Sequence, residues 1–123
     1  MKLKIIEIPD NIYNSTIFVI PEYKQEDLKK YFLKKYGIAY DETGYDALHY
    51  SVINKTQGIL HHYLLFEKFR NDIGGIGVFS HEISHLCFSV LRDAGMKFSD
   101  DSEEAYSYYI GYLTRIILEK LIK

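Results

Sequence analysis

The stretch VFSHEISHLCFSVLRD, residues 78 to 93, can bury only one of its two sides. Wound as a helix at about 100° per residue, it gathers His81, Glu82, His85, Ser89 and Arg92 into one arc. Ile83, Leu86, Cys87, Val90 and Ala94 fall on the other. A chain carrying this segment must give the apolar side a layer to rest on and leave the two histidines outside it. Histidines that merely filled a core would sit among Ile83, Leu86 and Val90. The pattern HExxH also has a chemical meaning. Imidazoles at i and i+4 stand one turn apart and can both bind one Zn2+ ion. Glu82 sits beside them without being a ligand, placed to accept a proton from metal-activated water.

The rest of the chain supplies the layer. KLKIIEI and STIFVI read as two strands, each closed by a proline, Pro9 and Pro21. KQEDLKKYFLKKY, from Lys24 to Tyr36, places Leu28, Tyr31, Phe32 and Tyr36 at helical spacing and stops at Gly37. ALHYSVI and GILHHYLLF read as two further strands around the turn NKTQ. NDIGGIG reads as a glycine-rich loop without the spacing of a phosphate cradle. The HEISH helix follows it and ends at Gly95; a last helix runs from about Asp101 to Leu121, with Asp100 and Glu103 spaced as a capping box. The order β-β-α-β-β-α-α predicts an α+β domain over residues 1–123. Its helices are expected on one face of a small antiparallel or mixed sheet.

Composition narrows the function classes. The net charge of −2 and the scattered Lys and Arg residues give no basic surface for nucleic acid, and no apolar run is long enough for a membrane span. Cys87 is the only cysteine, so no internal disulfide can form and a cytoplasmic protein is expected.

Catalytic zinc usually has three protein ligands and an open position for water. HExxHxxGxxH cannot supply the third, because Phe88 and Leu91 stand where that pattern needs glycine and histidine. The last helix offers Glu103 and Glu104. Glu104 is favoured, since Ser107 and Gly111 continue its line along the helix, while Glu103 suits the cap.

With eighteen residues between HEISH and Glu104, the chain resembles gluzincin metallopeptidases, notably the aminopeptidase branch. SHEISHLCFSVLRDAG followed by DSEEAYSYYIGYL is also similar to small zincin-like proteins of bacteriophages. The resemblance implies a zincin-like fold, His81, His85 and Glu104 as zinc ligands, Glu82 as general base, and a peptide or protein substrate. The chain departs from the peptidases in having Tyr108 where thermolysin-like enzymes place an aspartate, and in lacking a GxMEN segment.

Hydrolysis also needs a donor for the developing oxyanion. Tyr108, Tyr112 and Arg92 are the candidates, although with twelve tyrosines most must serve packing. A hairpin with Ile53 opposite Gly58 would set His49 opposite His62, as a stacked pair on a solvated face, with His61 on the other. If the strand GILHHYLLF is a sheet edge, it is the place where a zincin would pair with an extended substrate. A protein that keeps the zincin fold for binding, without turnover, is the rival reading.

Overall fold

The computed structural model describes residues 2–123 and has α+β architecture, a mixed four-stranded sheet with three helices. The strands are β1 (Ile6–Pro9), β2 (Thr16–Ile20), β3 (Ala47–Asn54) and β4 (Ile59–Phe66); the helices are α1 (Gln25–Tyr36), α2 (Ile73–Asp93) and α3 (Glu103–Ile122). Spatial order in the sheet is β1-β2-β4-β3. The β1–β2 and β3–β4 pairs are antiparallel, and β2 runs parallel to β4.

The helices do not share one face. Alternation along β4 sends Leu64 and Phe66 to one side, where they meet Phe79, Ile83, Leu86 and Val90 of α2 and Tyr109 and Leu113 of α3. Tyr63 and Leu65 point to the other side, against Leu28 and Phe32 of α1. The expectation of helices on a single face is therefore corrected: α1 covers one side, α2 and α3 the other. β4 lies between β2 and β3 and has no free edge, so the condition under which GILHHYLLF would pair with an extended substrate is not met. The free edges belong to β1 and β3.

Two local expectations also change. The glycine-rich segment is not a loop but the start of α2. Asp72 caps it, its carboxylate accepting from Gly75 N at 2.7 Å. A Cβ on Gly75 would lie 1.9 Å from the Arg70 carbonyl oxygen, so only glycine lets the incoming chain cross the first turn. The other change is at α3, where Asp100 and Glu103 form no capping box. Ser102 stands before the helix with its hydroxyl turned back, accepting from Ser99 N and donating to the Lys97 carbonyl. No helix among the described residues is long and apolar enough to cross a membrane.

Candidate metal centre

The middle of α2 carries the site. Phe79, Ile83, Leu86, Cys87 and Val90 are buried against the sheet and α3, and this fixes the rotation of the helix. His81 and His85 consequently face outward. Their Nε2 atoms are 3.2 Å apart and the rings meet edge to face, with centroids separated by 4.8 Å. Glu82 is the least exposed of the three. Its side chain is 12% exposed against 68% for His81, and its carboxylate is 3.9 Å from His81 Nε2. Burial raises the Glu82 pKa; the neighbouring His81 and His85 and the backbone amide of His49 partly oppose that shift.

The donor set fits a metal ion in part. Two nitrogens at 2.0–2.1 Å from a tetrahedral zinc would be separated by about 3.3 Å, close to the spacing found here. Ligand atoms of His81, Glu82 and His85 all lie within 4.8 Å of one another, and no further His, Cys, Asp or Glu among the described residues joins them. The group opens into a cleft of 330 Å3 bounded by β3 and the segment before it, with Glu42, Tyr45, Ala47, Leu48 and His49 on its walls.

Glu104 is not part of this group. The side of α3 that packs inward is Tyr106, Tyr109, Leu113 and Ile117, so helical spacing turns Glu104, Tyr108 and Gly111 outward. Glu104 is exposed and shares a shallow groove with Ser107, Tyr108, Gly111, Tyr112 and Arg115. Glu103 is exposed too. The expected oxyanion donors lie apart from the cleft for the same reason. Tyr108 is 72% exposed on the outer side of α3. The hydroxyl of Tyr112 donates to the Pro9 carbonyl and accepts from Asn11 N, which ties it to the β1–β2 turn. Arg92 is exposed near the end of α2 and forms no ion pair among the described residues.

His49 also stands on the wall of this cleft, beside the candidate metal centre. The hairpin register is Ile53 opposite Leu60, which sets Ser51, not His49, across from His62. The two imidazoles still meet diagonally, Nε2 of His49 lying 3.2 Å from Nδ1 of His62, with near-parallel rings. They do not lie on a solvated face, since His62 is 1% exposed beneath α2. The signal for His49 was its position on an antiparallel strand next to the HEISH helix, legible only once β3 is known to be the edge. His61 points into the α1 side as expected. Its Nδ1 is 2.7 Å from the Tyr36 hydroxyl and its Nε2 2.8 Å from Gln57 Oε1.

Comparison of the chain with protein-family profiles, curated proteins and solved structures finds no match.

Proposed function

We propose that this chain is a zincin-like metallopeptidase of gluzincin type, akin to the small phage zincins, in which His81 and His85 hold zinc. The observation that carries this reading is the convergence of His81 Nε2, His85 Nε2 and the Glu82 carboxylate on the wall of one cleft. When bound, zinc supplies a Lewis acid that acidifies water and polarises a carbonyl. Glu82 is the base: its half-buried carboxylate takes the proton of the attacking water and returns it to the leaving amine. The free edge of β3 beside the cleft supports an extended peptide as substrate, held by strand addition. Cys87, a buried thiol with no disulfide partner, is compatible with the cytoplasmic setting this reading includes.

Glu104 enters this reading as third ligand through the resemblance alone. That only two imidazoles converge favours the rival, a metal-binding protein without turnover. One experiment separates them: zinc content and cleavage of a mixed peptide library, for the wild type and Glu82→Gln. The peptidase reading expects equal zinc in both and cleavage reduced at least about 100-fold in the variant. Equal zinc with no cleavage by the wild type favours the rival. A wild type that takes up no zinc defeats both.

A further inference from the structure

His49 is the one imidazole on the cleft wall that the HEISH pattern leaves unexplained. The far side of its ring is anchored. Nε2 lies 3.0 Å from Ser51 Oγ and 3.2 Å from His62 Nδ1, and Ser51 Oγ is 3.0 Å from the same Nδ1. Three atoms in mutual contact cannot all be joined by hydrogen bonds, because an imidazole nitrogen either donates or accepts. One arrangement uses the serine in both directions: His62 Nδ1–H donates to Ser51 Oγ, and the Ser51 hydroxyl donates to His49 Nε2. In this tautomer, one of the two that the direction of the Ser51 hydroxyl allows, the His49 proton is on Nδ1, for which no protein acceptor is found among the described residues.

We propose that His49, through Nδ1–H, donates a hydrogen bond to the negative charge that develops on the carbonyl oxygen of a bound peptide. The proposal rests on the hydrolase reading above. Stabilisation of this kind works only through a donor already fixed in place. Tyr45 also lines the cleft, but its side chain is 52% exposed and its hydroxyl makes no hydrogen bond among the described residues, so nothing fixes its direction. Tyr108 and Tyr112 face elsewhere. His49 alone is held from behind by two partners. Its imidazole is also kept uncharged, the pKa lowered to about 4 by burial first and by His62, His85 and Arg92 after it. It therefore remains a neutral donor that leaves the role of base to Glu82.

The test uses zinc-loaded protein and two ligands: a phosphinic peptide, whose tetrahedral anion imitates the charged intermediate, and a plain peptide of the same sequence. The plain peptide is bound in a Glu82→Gln background to prevent cleavage. His49→Phe keeps the ring volume without the donor, and His49→Asn returns an N–H near the Nδ1 position. His49→Phe is expected to weaken the phosphinic peptide about 100-fold and the plain peptide less than about 3-fold, with His49→Asn recovering about 10-fold. Equal loss of both ligands, or no loss of either, overturns the proposal while leaving the hydrolase reading intact. A zinc-loaded wild type that binds neither ligand overturns both. Unfolding midpoints of the two variants within a few degrees of the wild type make the binding comparison valid. If His49→Phe does not fold, the proposal stands or falls on His49→Asn against Ser51→Ala. Loss of phosphinic-peptide affinity in Ser51→Ala with retention in His49→Asn supports it, and the reverse overturns it.

Discussion

The hydroxyl of Tyr109, on α3, donates to Asp10 Oδ2 at 2.8 Å and fastens the last helix to the first turn of the chain. The same carboxylate accepts from the amides of Ile12, Tyr13 and Ser15 and from the Ser15 hydroxyl, so every approach to it is used. Asp10→Ala would leave the buried Tyr109 hydroxyl and three amides without their acceptor. A loss of about 3 kcal/mol in unfolding free energy is expected, read by urea denaturation.

Asp10 also sets an acid limit. Burial alone would raise its pKa, but the hydrogen bonds from Ser15, Tyr109, Tyr13 and Ile12 together outweigh it, and the net shift is downward. A carboxyl with a lowered folded pKa contributes stability above its unfolded value of about 3.9, and loses it as pH falls through the folded one. Stability is thus expected to drop as pH falls below about 4, and Asp10→Asn should flatten that drop. An acid limb of unchanged slope in Asp10→Asn would assign the effect to other carboxylates.

His61 and His62 act at higher pH. Burial lowers the pKa of each; Lys35 adds to the effect at His61, while Asp93 opposes it at His62. The unfolded imidazoles take up protons first as pH falls below about 6.5, so the folded state loses stability from there downward. Metal-free protein should show a falling thermal midpoint between about pH 7 and 5, with a shallower fall in His62→Asn than in the wild type.

The glycines at the start of α2 give opposite expectations. Gly75→Ala drives a Cβ into the Arg70 carbonyl and should cost about 3 kcal/mol or prevent folding. Gly77 sits in the same helix with open space around it, so Gly77→Ala should stabilise by about 0.5–1 kcal/mol through helix propensity. Denaturation curves of the two variants on either side of the wild type would bear this out. Two shifts of the same sign would not.

Metal content separates the candidate ligands. His81→Ala or His85→Ala is expected to reduce zinc affinity at least about 100-fold, measured by competition with a chromophoric chelator. Glu104 lies outside the cluster and lines a separate groove, so Glu104→Ala is expected to keep zinc. A tenfold or greater loss in that variant would instead bring α3 into the site and restore the full gluzincin set.

The site was legible where local periodicity governs it. One face of α2 is apolar and the other holds two histidines a turn apart, and that much follows from residue order. The hairpin register was not. Gly58, at φ 71°, takes the last loop position, so the loop is Lys55–Gly58 and pairing begins at Asn54 and Ile59 rather than at Ile53 and Gly58. Placing α1 on the far face depends on the parallel β2–β4 pair, a long-range choice that LHHYLLF signals only by having no polar side. The rotation of α3 depends on which of its many aromatics go inward. Tyr106 and Tyr109 do, Tyr108 does not, and residue type alone cannot tell them apart.

Strand β4 carries adjacent histidines into opposite compartments, His61 toward the tyrosines of α1 and His62 beneath the HEISH helix. Sliding β4 by a single residue would exchange them, and Tyr63 with Leu64 as well. The wall of the cleft is therefore indexed by a ring cluster on the reverse side of the sheet. Substitutions in that distant cluster are expected to misalign His49 without touching any group of the candidate metal centre.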